Sequence, residues 1–267
     1  MINVLSLGAG VQSSTLVYMM KRGDLPKADH AIFADTGWEP KAVYQQLDYL
    51  RGLLDEMKIT FHQVSVGNIR DDALSGKRFA TMPLFTRNAA DEVGMVRRQC
   101  TNEYKIQPLL KKQRELAGLA PRQRSKEVLV ATILGISYDE SQRMRDPSRT
   151  WLKNEYPLVD RKMTRADCVT YQKTHGFRAS PRSACIGCPY KSDLEWRRLK
   201  DETPDEFADA VAFDEALRHP LTRLAKLSGD AYLHRSARPL AEADLRTEQE
   251  RGIMNLFDDE CFGMCGT

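Results

Sequence analysis

A glycine-rich turn near the start of the chain has the composition of an anion-binding loop. It reads Ser6-Leu7-Gly8-Ala9-Gly10-Val11-Gln12-Ser13-Ser14 and leads from a predicted strand into a predicted helix. Glycines let the backbone turn sharply and approach a ligand closely, and the free N–H groups at a helix start attract anions. The hydroxyls of Ser13 and Ser14 are further donors. The turn predicts a phosphate site, although a tight structural turn would use the same residues.

Two well-known phosphate loops do not fit this turn. No Gly-Lys-Ser/Thr follows it, so it is not a Walker A loop. Ser13 stands where the dinucleotide-binding fingerprint has its third glycine.

The chain has six cysteines, and two of them are spaced as metal ligands. The six are Cys100, Cys168, Cys185, Cys188, Cys261 and Cys265. Cys185-Ile186-Gly187-Cys188 is a C-x-x-C turn, which can present two thiolates to one metal centre or form a redox pair. Because one such turn is half a metal site, the other ligands must come from the remaining cysteines or from a histidine. Cys168 lies within a predicted helix, which favours a packing role.

Strands that alternate with helices must position these residues. The predicted strands are 4–7, 31–34, 59–66 and 128–133, and the predicted helices among them are 13–20 and the segment after Pro40. In the second helix Val43, Leu47, Leu50 and Leu54 recur at helical spacing. This alternation predicts an α/β fold with a doubly wound, Rossmann-like parallel sheet. The segment 67–99 is irregular and is interpreted as a flap or a surface insertion.

The composition changes near the middle of the chain. After Trp151 the sequence is mainly polar, with predicted helices at 164–174, 193–200 and 204–218. We therefore place a boundary near residue 150. Residues 1–150 are predicted to form the nucleotide-binding α/β domain, and residues 151–267 a mainly helical, cysteine-bearing portion.

Composition excludes some classes of protein. The chain of 267 residues is 42% hydrophobic, so we expect a large buried core rather than disorder. No stretch approaches the ~20 apolar residues that a membrane span requires, and the start lacks a basic leader. We therefore expect a cytoplasmic protein without a membrane partner. The net charge of +3 is compatible with a nucleic acid or a small anion as partner.

Residues Gly8 to Ser13 resemble the pyrophosphate loop of the adenine nucleotide alpha-hydrolase superfamily, whose usual form is Ser-Gly-Gly-x-Asp-Ser. Gly10 and Ser13 match this form, and Gln12 replaces the aspartate. The second strand ends in Asp35-Thr36-Gly37, which is similar to the phosphoadenylyl-sulfate reductase branch, although Asp35 could also cap the next helix. The resemblance implies that Asp35 is catalytic. It also implies an adenine nucleotide bound by Ser6, Gly8, Gly10, Gln12, Ser13, Ser14, Asp35 and Thr36.

The segment around Cys100 resembles part of the iron–sulfur adenylyl-sulfate reductases. There Cys-Cys-x-x-Arg-Lys-Val-x-Pro-Leu joins a later C-x-x-C at a 4Fe–4S cluster. Aligned on Lys105 and Pro108, Cys100 matches the first cysteine and Thr101 replaces the second. The resemblance implies a 4Fe–4S cluster held by Cys100, Cys185 and Cys188, with Cys261 or Cys265 as fourth ligand or with one iron left open. A zinc ion held by four cysteines is the alternative.

Three further segments resemble the same family. One is Tyr156-Pro157-Leu158 with Thr164-Arg165-Ala166-Asp167, which is similar to the family's proline-leucine turn and following helix. Leu134-Gly135-Ile136-Ser137-Tyr138-Asp139-Glu140-Ser141-Gln142-Arg143 is similar to the reductases' Gly-x-Arg-x-x-Glu-Ser segment, which implies nucleotide contacts for Gly135 and Arg143. Near the end of the chain Glu260-Cys261 begins like the reductases' Glu-Cys-Gly-Leu-His, whose cysteine attacks sulfur. Phe262 then intervenes, and acidic residues precede Cys261. Three roles remain open for Cys261. It could be a nucleophile, a metal ligand or a thiol without function at a frayed chain end.

The resemblance implies three alternative functions. The leading one is an enzyme that binds ATP and Mg²⁺, cleaves ATP between the α- and β-phosphates and adenylates an acceptor, which sulfur or nitrogen then attacks. Its acceptor would be a base of tRNA or DNA, and a donor protein would deliver the sulfur. The second function is a reductase of adenylyl sulfate that uses Cys261 and releases sulfite. The third is a non-catalytic, nucleotide-binding metalloprotein.

Overall fold

The computed structural model describes residues 1–75, 82–147, 149–219, 229–246 and 250–251. These residues form two compact units, each assembled from separate stretches of chain. The first unit comprises Met1–Asp35, Lys41–Val66 and Lys105–Ser183, and the second comprises Thr36–Pro40, Gly67–Tyr104 and the described residues from Ala184 onward. The predicted boundary near residue 150 falls inside the first unit, because the chain passes between the two units several times.

Helices and strands occur in both units. The strands are β1 (Ile2–Leu7), β2 (His30–Asp35), β3 (Thr60–Ser65), β4 (Phe85–Arg87), β5 (Val93–Met95), β6 (Val130–Leu134), β7 (Leu152–Glu155) and β8 (Asp230–Tyr232). The α-helices are α1 (Val11–Arg22), α2 (Lys41–Glu56), α3 (Ile69–Leu74), α4 (Gln107–Leu116), α5 (Pro157–Asp160), α6 (Arg165–Thr174), α7 (Asp193–Glu202) and α8 (Pro204–Ala216). A π-helical turn covers Thr101–Ile106, and 3₁₀ turns cover Tyr138–Arg143 and Leu240–Glu242.

The first unit is built on a five-stranded parallel sheet with the order β3-β2-β1-β6-β7. The central strand β1 pairs with β2, where Leu7 lies opposite Phe33, and with β6, where Ser6 lies opposite Leu134. After β3 the chain crosses to the other side of β1 to form β6. The strand order therefore reverses between β1 and β6, and the sheet is the predicted α/β parallel type. Open sheets of this kind bind ligands outside the carboxyl ends of the strands at such a switch point.

Helices cover both faces of this sheet. On one face α1, α2 and α6 pack around a cluster that includes Leu5, Leu16 and Leu50. On the other face α4 packs against Val4 through Leu109. Val4 and Leu5 are neighbours in β1 and belong to opposite clusters, as the alternation of side chains along a strand requires. The two covered faces explain why β1 and β6 are mainly apolar.

Sequence patterns correctly predict α1, α2 and α6, whereas α4 was not predicted. The buried face of α2 includes Val43, Leu47, Leu50 and Leu54. α1 is followed by Gly23 in the left-handed conformation (φ 84°), whose N–H donates to the carbonyl of Met20 at 3.2 Å. Cys168 is fully buried in the same cluster, and burial raises the pKa of its thiol to about 12. The thiol therefore stays protonated, which confirms the predicted packing role.

The second unit combines helices with a small antiparallel sheet of order β5-β4-β8. α3, α7 and α8 contribute to its core, in which Trp196 and Phe213 are fully buried. α7 begins with a capping box, in which the Ser192 hydroxyl accepts from the N–H of Glu195 and the Glu195 carboxylate accepts from the N–H of Ser192. The described part of the segment 67–99 is not irregular as predicted, because it contains α3, β4 and β5.

A partly buried carboxylate at the start of α7 makes the stability of the second unit depend on pH. Asp193 accepts hydrogen bonds from Arg235 Nη2 at 2.7 Å and Arg251 Nη2 at 3.3 Å, and lies 3.1 Å from His234 Nε2. Burial alone would raise the pKa of Asp193, but its bonds with Arg235 and His234 more than offset this and lower it. A carboxyl with a lowered folded-state pKa stabilises the fold above its unfolded pKa of about 3.9 and loses that contribution as the pH falls through the folded value.

We therefore expect Asp193→Asn to lower the free energy of unfolding by about 1–3 kcal/mol at pH 7, and by much less near pH 3, where the wild-type carboxyl is also losing its charge. Urea unfolding at the two pH values measures this difference. The control is Asp48→Asn, because the Asp48 side chain is 77% exposed. An equal loss at both pH values would contradict the assignment.

Candidate functional site

The loops after β1 and β6 meet at the switch point of the parallel sheet. A Cβ atom added to Gly135, directly after β6, would lie 2.9 Å from the backbone nitrogen of Ser13 in the first turn of α1. Such a distance is too short for non-bonded atoms, so glycine is required for this backbone-to-backbone contact. Both Gly135 and Ser13 are predicted nucleotide-binding residues, and the structure brings them together.

The loop after β1 is held in a strained conformation by one of its own side chains. Ala9 is fully buried and has φ 53°, which is unusual for a residue with a Cβ atom. The Ser13 hydroxyl accepts from the N–H of Gly8 at 3.2 Å and donates to the carbonyl of Gly10 at 3.3 Å. Ser13 therefore braces the loop, whereas the sequence suggested that its hydroxyl was a donor for the ligand.

This loop presents a row of unbonded amides. Gly10 is the N-cap of α1 and has no side chain with which to cap it. The first helical bond runs from the N–H of Ser14 to the carbonyl of Gly10 at 3.0 Å. Within the described residues, the N–H groups from Ala9 to Ser13 donate to no protein acceptor. Because partly buried N–H groups require partners and the helix dipole favours negative charge here, this row suits an anion.

The loop after β6 carries a second group without a partner. Ser137 is fully buried, and its hydroxyl has no hydrogen-bond partner in the described part of the chain. The neighbouring Glu140 is also buried, and burial raises the pKa of its carboxyl, while the Arg143 guanidinium 2.6 Å away partly offsets the increase. Arg143, a predicted nucleotide-binding residue, is thus engaged by Glu140.

A cation that the sequence did not identify lies beside the first turn of α1. The Nη1 of Arg165 donates to the Oε1 of Gln12 at 3.1 Å. Arg165 is the first residue of α6, and its backbone N–H donates to Asp139 at 3.1 Å. Its sequence context is a helix-capping motif, Thr164 to Asp167, which predicts a helix start but not a ligand contact.

Three other predicted residues of the first unit, Asp35, Ser14 and Ser6, have different environments. Asp35 ends β2, and its carboxylate accepts from the Tyr44 hydroxyl at 2.9 Å and from Gln63 Nε2 at 2.8 Å. Ser14 is fully buried and accepts from Gln46 Nε2 at 3.3 Å, so it belongs to the packing of α1 against α2. Ser6 lies within β1, opposite Ile32 and Leu134 of its two neighbours.

The C-x-x-C turn lies in the second unit, together with Thr36. The N–H of Cys188 donates to the carbonyl of Cys185 at 3.1 Å and closes the turn. A Cβ atom on Gly187 would lie 2.1 Å from the ring of Trp38, so only glycine fits at this position of the turn. The hydroxyl of Thr36 lies 3.3 Å from the sulfur of Cys185.

The described residues contain part of the predicted metal site. Cys100 and Cys185 pack against the same apolar cluster of the second unit. Among the described ranges, no three histidine, cysteine or acidic side chains are arranged to hold a metal ion. Cys261 and Cys265 lie outside the described residues, so their predicted roles as nucleophile or ligand stay predictions. A tight turn that carries two cysteine thiols still has the donor chemistry of half a thiolate site.

In the ranges described, no helix is long and apolar enough to cross a bilayer. Neither a comparison with models of known protein families nor a comparison with curated proteins found a match to the chain.

The contact at Gly135 leads to a mutational prediction. Gly135→Ala should lower the free energy of unfolding by about 1–3 kcal/mol, because the new methyl group overlaps backbone atoms that cannot rotate away. Gly52→Ala is the matched control, because a Cβ there meets nothing within 4 Å in α2. Alanine at that helical position should stabilise the protein by about 0.5–1 kcal/mol. Denaturant unfolding measures both, and an equal effect at the two sites would contradict the close contact.

Proposed function

We propose that this chain is an ATP-binding enzyme of the pyrophosphate-loop class that adenylates an acceptor. An acceptor oxygen attacks the α-phosphorus of ATP, the bond to the β-phosphate breaks and pyrophosphate leaves. A sulfur or nitrogen nucleophile then displaces AMP from the acceptor. The observation that carries the proposal is the row of unbonded amides from Ala9 to Ser13 at the switch point of a parallel sheet.

Fixed amides suit the charge that this reaction develops. Negative charge accumulates on the departing pyrophosphate, and donors already held in place stabilise it without reorganisation. The Ser13 brace and the Gly135 contact supply this rigidity. Mg²⁺, when bound, would neutralise further phosphate charge, and the carboxylate of Asp35 at the carboxyl end of β2 is a ligand of the type that it prefers.

We further propose a nucleic acid base, in tRNA or DNA, as the acceptor and a sulfur-donor protein as the second partner. The net charge of +3 and exposed basic residues such as Lys111, Arg122 and Arg124 support a polyanionic substrate. The thiols of the second unit support sulfur chemistry.

A 4Fe–4S cluster held by Cys100, Cys185, Cys188 and Cys265 belongs to the same proposal, with zinc as the alternative metal. Two observations support it. Cys100 and Cys185 share one apolar cluster, and the ammonium of Lys191 donates to the carbonyl of Cys185 at 3.0 Å. The positive charge favours thiolates at the turn.

The loop provides the test of nucleotide binding. Gly10→Ala should weaken ATP binding about tenfold or more, because the loop must shift to relieve an overlap. The Cβ would lie 2.9 Å from the Cβ of Ser183. Gly52→Ala in α2 is the control, since a Cβ there meets nothing within 4 Å. Calorimetric titration with ATP measures the affinities.

Turnover distinguishes the proposal from a reductase. We expect pyrophosphate release when ATP and an RNA pool are supplied together, and expect Gly10→Ala to reduce it. Sulfite release from adenylyl sulfate, with ATP inert and activity lost in Cys261→Ser, would replace adenylation by reduction as the function. ATP binding equal in wild type and Gly10→Ala would remove the loop from the mechanism.

Metal analysis of anaerobically purified protein tests the cluster. We expect iron and sulfide in the wild type and their loss in Cys100→Ala and Cys185→Ala, because each removes a thiolate ligand. Cys168→Ala is the control, since its buried thiol packs in the first unit. Zinc without sulfide would replace the cluster by a zinc site, and full metal content in Cys185→Ala would rule out the C-x-x-C turn as ligand.

A further inference from the structure

We infer that Arg165, oriented by Gln12, binds the phosphate chain of the ligand at the loop after β1. This assignment rests on the proposed function for the identity of the ligand, but its physical basis is a cation beside a row of unbonded amides. It adds a phosphate-binding residue that neither the loop motif nor the helix pattern indicates.

Arg165 is a half-buried arginine without a counter-ion in the described residues. Its guanidinium makes one side-chain hydrogen bond there, to Gln12 Oε1 at 3.1 Å, and no ion pair. Gln12 is neutral and adds no counter-charge, although Glu140 lies close enough to interact electrostatically with Arg165. A guanidinium has five N–H donors, so most of its donors are open to a ligand. Burying an unpaired charge is costly, which favours an anionic partner at this position.

Two other arginines of the first unit are paired with carboxylates. Arg143 is bound to Glu140 at 2.6 Å, and Arg22 is bound to Asp24 at 3.1 Å. Glu140 is also close enough to Arg165 to have its pKa affected by that charge. Because Arg143 already neutralises Glu140, that carboxylate does not need Arg165.

The position of Arg165 is fixed by its backbone. The Thr164–Asp167 capping box defines the start of α6, and the N–H of Arg165 donates to Asp139 at 3.1 Å. Gln12 then fixes the end of the side chain. Because the Arg165 side chain is fixed at its backbone and at its guanidinium, it loses little conformational freedom on binding. This preorganisation favours affinity.

A further feature of the loop after β1 favours an anionic partner. The N–H groups from Ala9 to Ser13 have no acceptor within the described residues. Backbone amides supply only partial charges, whereas a phosphate chain carries several full ones. The planar guanidinium supplies a full charge and can bind two phosphate oxygens at once.

The closing experiment measures binding of ATP, inorganic pyrophosphate and adenosine to full-length protein by calorimetry. Arg165→Ala should weaken ATP and pyrophosphate binding about tenfold to a hundredfold and leave adenosine binding unchanged. Gln12→Glu should weaken both anions more than Gln12→Ala, because a carboxylate would pair with Arg165 and repel phosphate. Arg165→Lys should retain part of the affinity. The control is Arg51→Ala. It removes an arginine whose guanidinium packs on another side chain, 5.1 Å from the ring centroid of Phe61.

The outcomes separate this inference from the proposed function. If wild type binds ATP and Arg165→Ala binds it equally well, Arg165 is not a phosphate ligand and the nucleotide site stands. If wild type binds pyrophosphate through Arg165 but no nucleotide, the anion site stands and the proposed function fails. If wild type binds neither ATP nor pyrophosphate, both the inference about Arg165 and the proposed function are overturned. A parallel loss of adenosine binding or of melting temperature in Arg165→Ala would assign the residue a structural role instead.

Discussion

The candidate site depends on one contact between two stretches of backbone. Gly135 at the end of β6 lies against the amide of Ser13 in the first turn of α1, and any side chain at Gly135 would separate them. This contact fixes the loop after β6 relative to the loop after β1. The amides, the Ser137 hydroxyl and the Gln12–Arg165 pair are all carried by these loops and by the helix α6 that follows, so their positions depend on it.

Positive groups predominate in the candidate site. Its backbone amides and Arg165 are positive, while on the 3₁₀ turn Glu140 is paired with Arg143 and Asp139 accepts from the backbone N–H of Arg165. Gln12 provides an acceptor for Arg165 without adding a negative charge. An anion entering such a site meets donors that are already oriented, and it does not have to displace an internal counter-ion.

Much of the first unit could be predicted from the sequence, because its strands and helices carry strong local patterns. The apolar runs of β1, β2 and β6, the buried face of α2 and the left-handed Gly23 are local properties of the chain. β4, β5 and β8 could not be predicted, because each has only three residues and because β8 pairs with β4, which is distant in sequence. The role of Arg165 was missed for a similar reason, since its contact spans 153 residues of sequence.

The way in which the chain alternates between the units constrains the order in which the protein can form. The parallel sheet ends with β7 and is covered by α6, whose buried residues Cys168 and Gln172 lie well past the middle of the chain. During synthesis on the ribosome, the first unit can therefore be completed only after Ser183 has emerged. A fragment that stops at residue 150 would lack an edge strand and a covering helix, and would expose apolar surface that favours aggregation.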